Sequence, residues 1–282
     1  MSVADGAEVL ERALELGDEG RWEEMAQLLA RALVDEPEDA YVLCWLGVAE
    51  RELGNDGAAY DYFKRALAED PLDPQLLALA GAGLAAFDDP DAERVLRTAA
   101  LAGPDLPFTR LQYGAYLARE GFFEEAIENL RAAIALAPDD PAMHGELGIG
   151  LALKGDLAGS AEAMEEALAL APDDSWTRVL LGLVYVELDR MDTAAELLLQ
   201  ASAERPDDGE AQLVAALAAA AAGWRDAAEE ALVRIAFAAE PIDAVILEEA
   251  ETRIAEGRTP ARSLLVETLA PSLLHERLIQ PL

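Results

Sequence analysis

The sequence offers few side chains that could act as a nucleophile, a general base or a metal ligand. Its two histidines are His144 and His275, and its one cysteine is Cys44. His144 and Glu146 have the H-x-E spacing of some zinc sites, but the P-C-x-x-C segment that completes such a ligand set is absent. Cys44 has no histidine partner close to it in the sequence, and a lone thiol in an apolar stretch is usually a small packing residue. We therefore expect no enzyme activity, no bound metal and no cofactor.

Adjacent aspartates recur along the chain and are the other candidates for metal binding. They are the pairs Asp139-Asp140, Asp173-Asp174 and Asp207-Asp208. Such carboxylates could bind calcium weakly, but they lack the alternating oxygen ligands of a calcium loop. Aspartate is also favoured just before a helix, where its carboxylate accepts backbone N–H groups. We therefore expect helix caps at these positions.

The chain is strongly acidic, with 56 aspartates and glutamates against 21 lysines and arginines and a formal net charge of −35. Such a surface repels nucleic acid phosphates and anionic lipid headgroups and favours basic partners. The bases are nearly all arginine, the lysines being Lys64 and Lys154. This composition also suits a salt-adapted cytoplasm, in which case the melting temperature should rise in molar potassium chloride as the charges are screened.

Nothing in the sequence indicates secretion or membrane insertion. A single cysteine allows no internal disulfide. The first residues lack a basic segment followed by an apolar run, and the most apolar stretch, 213–223, is too short to cross a bilayer. We expect a cytoplasmic protein that neither binds nucleic acid nor inserts into a membrane.

Prolines recur through the chain at nearly constant spacing, which indicates an internal repeat. They stand at Pro37, Pro71, Pro104, Pro138, Pro172, Pro206 and Pro241. The successive gaps are 34, 33, 34, 34, 34 and 35 residues. Since proline cannot continue a helix, each one is expected to follow the last helix of its repeat.

Small residues keep phase with these prolines. Alanines stand five positions before six of them, at Ala32, Ala66, Ala99, Ala133, Ala167 and Ala201. Glycines stand near the first third of five repeats, at Gly47, Gly81, Gly114, Gly148 and Gly182. A glycine or an aspartate stands in mid-repeat at Gly20, Gly54, Gly121, Gly155, Asp189 and Gly223. The mid-repeat residues suit a tight turn with positive φ, the others suit a close approach of two helices, and the high alanine content favours helix.

This pattern resembles the tetratricopeptide repeat family over roughly residues 6–243. The resemblance implies an all-α, right-handed superhelical solenoid in which helical hairpins stack and share one elongated core. Seven repeats are expected at about 6–39, 40–73, 74–106, 107–140, 141–174, 175–208 and 209–243, followed by C-terminal capping helices and an apolar tail over 244–282. Within this last segment we expect a helix over 242–256 ended by Gly257, a second helix capped at Thr259-Pro260, and a last short helix from Pro271-Ser272.

In this family the first helices of the repeats line a concave surface that receives peptides or helices. The residues at the family's inward positions are Tyr41, Cys44, Trp45, Val48, Leu79, Phe108, Leu111, Gln112, Ile149, Trp176, Val179, Leu180, Leu183, Leu213, Val214 and Leu217. Most are apolar and two are tryptophans, which favours a groove for an amphipathic helix or hydrophobic peptide of a partner. The alternative is that these side chains pack on neighbouring repeats or on the tail.

The resemblance therefore implies a protein–protein interaction scaffold or adaptor. Two alternatives stay open: a client-specific chaperone or assembly factor, and a self-assembling structural protein in which the tail of one chain fills the groove of the next. A clamp for a C-terminal carboxylate is not expected, because the inward positions hold no lysine or asparagine. The tail either closes the end of the solenoid or docks on a partner or a second copy.

Overall fold

The computed structural model describes residues 3–36, 38–69, 71–239 and 242–279, and within these ranges the chain forms helices and turns and no strand. The all-α prediction is confirmed. Two of the repeat-marking prolines, Pro37 and Pro241, lie outside the described residues. The chain divides into two compact units, Met1–Tyr116 (unit 1) and Leu117–Gln280 (unit 2), with the division inside one helix.

The helices of unit 1 are α1 (Val3–Asp18), α2 (Trp22–Asp35), α3 (Ala40–Glu52), α4 (Asp56–Ala68), α5 (Pro74–Ala85) and α6 (Ala92–Ala102), and α7 (Pro107–Arg119) contains the division. The helices of unit 2 are α8 (Phe123–Leu136), α9 (Pro141–Lys154), α10 (Leu157–Leu170), α11 (Ser175–Glu187), α12 (Met191–Glu204), α13 (Gly209–Ala222), α14 (Arg225–Ile235), α15 (Ala244–Glu256), α16 (Arg258–Leu264), a π-helical turn (Leu265–Leu269) and α17 (Ala270–Leu278). The assignment of these helices to seven repeats and a C-terminal segment remains a prediction.

Small residues let the two helices of each pair pack closely. A Cβ added at Gly47 of α3 would lie 2.9 Å from the Phe63 ring of α4, and one at Gly182 of α11 would lie 2.7 Å from Leu198 of α12. The alanines that precede the repeat prolines are buried in the same interfaces. Second helices also pack on first helices that follow them, as α4 does on α5 and α12 on α13. Neighbouring pairs therefore share their apolar faces.

The predicted turns and caps are confirmed. The mid-repeat residues all have positive φ, at Gly20, Gly54, Gly121, Gly155, Asp189 and Gly223. The second aspartate of each predicted pair caps a first helix, because the carboxylates of Asp140, Asp174 and Asp208 accept the backbone N–H groups of Ala142, Thr177 and Ala211 at 3.0, 3.0 and 2.8 Å. The turn of the third repeat was not predicted. It lies at Asp88, which has a φ of 52°.

The C-terminal segment differs from the sequence prediction in two details. The second helix of the segment begins at Arg258 with Gly257 before it, so Thr259 is not its cap. Pro271 does not start a separate helix either, because the chain passes from α16 through the π-helical turn into α17 without a break. The wide turn accommodates Pro271, since proline lacks an N–H group and its ring crowds the preceding turn of an α-helix. We call residues 258–278 the C-terminal helix.

Candidate functional site

In unit 2 the structure brings the predicted inward residues into one core. They are Ile149 of α9, Trp176, Val179, Leu180 and Leu183 of α11, and Leu213, Val214 and Leu217 of α13, and we call this set the unit 2 first-helix face. All are buried except Trp176, which is partly buried against the same core. The expectation of an open groove needs correction here, because this face is filled. Its role in binding a partner remains a prediction.

The unit 2 first-helix face is covered by the C-terminal helix. Helix α16 packs against α13, and α17 packs against α11 and α9. The side chains of Leu265, Leu274 and Leu278 belong to the same apolar core as the face that they cover. The segment lies along the first helices of unit 2, and its role as a cap of the array stays a prediction.

The buried residues of the C-terminal helix stay on one side of it across the π-helical turn. Its most deeply buried apolar residues stand at Ala261, Leu265, Ala270, Leu274 and Leu278. Their spacing is four residues except across the π-helical turn, where it is five. The additional residue keeps the later leucines on the side that faces the groove, although the chain continues past a proline.

A single arginine of the C-terminal helix is buried beside Trp176. The Arg277 guanidinium carbon lies 5.1 Å from the centre of the Trp176 ring, within the range of a cation–π contact. Its Nη2 lies 3.3 Å from a carboxylate oxygen of Glu210 and 3.7 Å from one of Asp208. The side chains of Arg277 and Asp208 are 9% and 7% exposed, so this charge pair has lost most of its water.

Two further arginines tie the start of the C-terminal helix to unit 2. Arg258 donates a hydrogen bond from Nε to the carbonyl oxygen of Ala221 at 2.6 Å. This carbonyl is at the end of α13, where cations are favoured by the helix dipole. Arg262 pairs with Asp189 at 2.6 Å in a largely exposed contact. The C-terminal helix is thus held by an apolar stripe flanked by basic groups.

In unit 1 the corresponding side chains are more accessible. We call Tyr41, Trp45 and Val48 of α3 and Leu79 of α5 the unit 1 first-helix face. Tyr41 is 37% exposed, and the other three are partly exposed while they pack on the cores beneath them. Cys44, predicted in the same groove, is instead fully buried. The unit 1 first-helix face therefore keeps accessible apolar surface that its counterpart in unit 2 lacks.

The predicted residues on α7 are divided between core and surface. Phe108 and Gln112 are partly exposed, whereas Leu111 is buried at 5% exposure. Leu111 is therefore a packing residue in this structure, and the predicted binding role stays open for Phe108 and Gln112.

Tyr41 is held by a hydrogen bond to Asp73, the residue that caps α5. Partial burial and this hydrogen bond to a carboxylate raise the pKa of Tyr41 to about 12. Burial alone would raise the pKa of Asp73, but hydrogen bonds from the Leu76 backbone, Tyr41 and the Gln75 backbone lower it. The phenol and the carboxylate are thus both kept in their usual charge states, and the Tyr41 ring is fixed at one edge of the face.

Cys44 and His144, two of the residues considered for chemistry, make contacts that position or bury them within the fold. Burial raises the pKa of the Cys44 thiol to about 12, so the reactive thiolate is disfavoured. His144 Nε2 lies 2.8 Å from the carbonyl oxygen of Pro138 and braces the preceding turn. Among the residues that the structure describes, no three histidine, cysteine, aspartate or glutamate side chains are grouped so that they could hold a metal ion. None of the described helices combines the length and apolarity that a membrane span requires.

Comparison with known families agrees with the repeat geometry. Tetratricopeptide repeat profiles match residues 10–74, 114–175 and 151–220, which together make up more than half of the sequence. The chain belongs to the tetratricopeptide repeat (TPR) family. A comparison with curated proteins gave no match to this TPR chain.

Solved structures show the same fold. The chain is similar to one in the crystal structure of the APC/C hetero-tetramer Cut9–Hcn1, with a TM-score of 0.67, 21% identity, and coverage of 91% of this chain and 48% of that one. It is similar to a thermophilic TPR protein of Thermus thermophilus, with a TM-score of 0.55, 26% identity, and coverage of 63% and 97%. It is also similar to PilW, a widely conserved type IV pilus biogenesis factor, with a TM-score of 0.59, 20% identity, and coverage of 72% and 94%. The chain spans about half the length of the first of these, and the first and third likenesses concern the fold alone.

Sequence reasoning missed the residues that fasten the C-terminal helix. Arg277 follows Leu274 by three positions and precedes Leu278, so it stands on the apolar side of its helix. A basic residue among the apolar positions of a helix, in a chain whose repeats are rich in aspartate and glutamate, is the signal that could have indicated this ion pair. Asp208, one of the partner residues of Arg277, was predicted only to be a helix cap.

Proposed function

We propose that this TPR chain is a protein–protein interaction scaffold that binds an amphipathic helix or hydrophobic segment of a partner on the unit 1 first-helix face. The observation that carries the proposal is the accessible apolar set on α3 and α5, two first helices that are in contact with each other. A group of apolar side chains left accessible on adjacent elements is typical of an interaction surface.

The aromatic residues of this face are well suited to act as binding anchors. Tyr41 and Trp45 are four residues apart on α3 and so lie on one side of the helix. Tyrosine and tryptophan are enriched at the centres of protein interfaces, where they bury a large area with few rotatable bonds. The hydrogen bond to Asp73 already fixes the Tyr41 ring, which reduces the entropy lost when a partner binds.

The charge of the chain favours a partner segment with basic flanks. Asp39 and Asp73 stand at the first turns of α3 and α5, and each carboxylate accepts two backbone N–H groups. These carboxylates border the face, and the whole chain carries a formal net charge of −35. Opposite charge around an apolar centre increases the association rate and disfavours acidic competitors.

The test is affinity purification with crosslinking and mass spectrometry, comparing the native chain with Trp45→Glu. The matched control is Leu101→Glu, which adds the same charge at a side chain that is 73% exposed on the second-type helix α6. We expect a protein captured by the native chain and by Leu101→Glu but lost from Trp45→Glu, with circular dichroism showing that both variants are folded. Capture of the same proteins in the same amounts by Trp45→Glu would contradict the proposal.

The identity of the captured protein decides between the scaffold and the chaperone. A partner that is soluble and folded by itself supports the scaffold role. A partner that precipitates without this chain and stays soluble with it assigns the chaperone or assembly role instead.

A further inference from the structure

We propose that the unit 2 first-helix face is a second binding site, specific for an amphipathic helix that carries an arginine among its apolar residues, and that the C-terminal helix occupies this site as an internal ligand. This face shares no residue with the unit 1 first-helix face, so the two proposals fail independently. The partner is a basic amphipathic helix of another protein that replaces the C-terminal helix.

The C-terminal helix makes the contacts that a bound helix makes in a groove. Its apolar stripe from Ala261 to Leu278 enters the core formed by α9, α11 and α13. Its opposite side stays in water, with Glu267, Thr268 and His275 exposed. An amphipathic helix that places its apolar side into a hydrophobic groove is a recurring mode of peptide recognition. Here the ligand is part of the chain.

The groove contains a defined site for the arginine. The centre of the Trp176 ring lies 5.1 Å from the Arg277 guanidinium carbon, and carboxylate oxygens of Glu210 and Asp208 lie 3.3 Å and 3.7 Å from its Nη2. Asp208 is fixed independently of the ligand, because it caps α13 and also pairs with Arg205 at 3.1 Å. This acceptor is therefore held in place for a guanidinium and does not depend on Arg277 for its position.

Several features make the C-terminal helix replaceable. Pro271 removes a backbone hydrogen bond, and the π-helical turn interrupts the regular α-helical pattern. The segment therefore has little helical stability of its own and depends on the groove contacts. Its attachment to α15 through Gly257 acts in the opposite direction, because it gives the segment a high effective concentration at the groove. A partner helix must therefore match the apolar stripe and supply the arginine in order to compete.

The test uses the full chain and a fluorescent peptide of residues 257–279 as the probe, with binding measured by anisotropy. The decisive variant is Arg277→Glu in the chain, which places a negative charge beside Asp208 and Glu210. The matched control is Arg225→Glu, the same change at a side chain that is 82% exposed on α14. Arg277→Met is measured in parallel, since it removes the charge and keeps most of the side-chain volume.

We expect the Arg277→Glu chain to bind the probe at least about tenfold more tightly than the native chain and the Arg225→Glu control, with Arg277→Met in between. A probe with Arg277→Glu should bind about tenfold more weakly than the native probe, whereas one with His275→Ala, changed on the exposed side, should bind equally well. Either of two results would overturn the proposal. One is equal binding of the native probe by all four chains, and the other is equal binding of the native probe and the Arg277→Glu probe.

Two further measurements separate release of the C-terminal helix from general unfolding and from exchange between copies. Amide hydrogen exchange of residues 258–278 should be faster in Arg277→Glu than in Arg225→Glu while α9 to α13 keep their protection. Loss of protection throughout unit 2 would make Arg277 a structural support and would overturn the proposal. A native dimer by light scattering that becomes a monomer in Arg277→Glu would identify a second copy as the occupant and would also overturn it.

Discussion

Leu79 in unit 1 and Leu180 in unit 2 occupy the same inward position of their repeats, but their surroundings differ. Leu79 is partly exposed, whereas Leu180 is 1% exposed beneath the C-terminal helix. The repeat pattern therefore places apolar side chains at inward positions in both units. Whether they are accessible depends on the C-terminal helix, which lies outside the predicted repeats. An inward position alone therefore does not identify a binding surface in this fold.

The largest expected effect is a difference in stability between these two leucines. Leu180→Ala should lower the free energy of unfolding by about 3 kcal/mol, since it leaves a cavity in a closed core. Leu79→Ala should cost about 1 kcal/mol, because the partly exposed side chain loses less burial. Urea denaturation measures both, with Leu101→Ala, at a side chain that is 73% exposed, as a control expected within about 0.5 kcal/mol of the native chain. Equal losses for Leu79→Ala and Leu180→Ala would contradict the comparison.

A second prediction concerns a feature that the two units share. Gly47→Ala in unit 1 and Gly182→Ala in unit 2 should each destabilise by about 1–3 kcal/mol, because the added Cβ would lie 2.9 Å from Phe63 or 2.7 Å from Leu198. Both glycines lie where two helices of one pair meet, which the C-terminal helix does not affect. Thermal and urea unfolding should give similar losses, and a loss confined to unit 2 would show that the pairs are packed differently. Gly57→Ala is the control, since no atom lies within 4 Å of its added Cβ.

A smaller effect is expected at the rim of the covered face. Arg262→Ala should cost less than about 1 kcal/mol, because its ion pair with Asp189 joins side chains that are 42% and 67% exposed. The free energy of unfolding measured in low and high salt checks this, since screening should remove most of the difference. A loss as large as that of Leu180→Ala would mean that exposed charges, and not the apolar stripe, hold the C-terminal helix.

The smallest predicted effects depend on pH and have opposite signs in the two units. In unit 1, hydrogen bonds from Tyr60, the Asp91 backbone and Lys64 lower the pKa of Asp89. The stability that Asp89 contributes is therefore present above its unfolded pKa and lost as the pH falls through the folded value. In unit 2, burial raises the pKa of Glu187, one of whose oxygens is buried without a hydrogen-bond partner among the described groups. Its favourable contribution is therefore present below the unfolded pKa and lost as the pH rises.

Melting temperatures of Asp89→Asn and Glu187→Gln between about pH 4 and pH 7 test these signs. Asp89→Asn should be less stable than the native chain at neutral pH, with the difference shrinking as the pH falls. Glu187→Gln should be slightly more stable than the native chain at neutral pH and equal to it at the acidic end of the range. A Glu187→Gln variant that is less stable at neutral pH would show that this carboxylate has a partner in solution.

The repeat features were predictable because each follows from one residue and its neighbours. Proline ends a helix, Gly155 or Asp189 adopts positive φ, and Asp140 caps the helix that follows it. These are local constraints, and their recurrence in the sequence made the helical pairs evident. The turn at Asp88 was missed because the third repeat is one residue shorter than most of the others, so its turn does not stand at the common distance from the proline that ends the repeat.

The covering of the unit 2 first-helix face was not predictable from the same information. The apolar stripe of the C-terminal helix shows that it must pack, but not on which face, since every repeat offers an apolar surface. The choice depends on tertiary contacts between distant residues, above all Arg277 with Trp176 and Glu210. In unit 2 the alternative stated from the sequence, that these side chains pack on the tail, is the arrangement in the structure, but the sequence did not decide between it and an open groove.

Hydroxyl-radical footprinting of the full chain, read residue by residue by mass spectrometry, tests the central claim most directly. If the first-helix face is accessible in unit 1 and covered in unit 2, Tyr41, Trp45 and Leu79 should be modified clearly faster than buried residues of the same type. Leu180, Leu183 and Leu217 should be protected to the level of core leucines such as Leu198. Modification of Leu180 and Leu183 as fast as that of Leu79 would contradict the account.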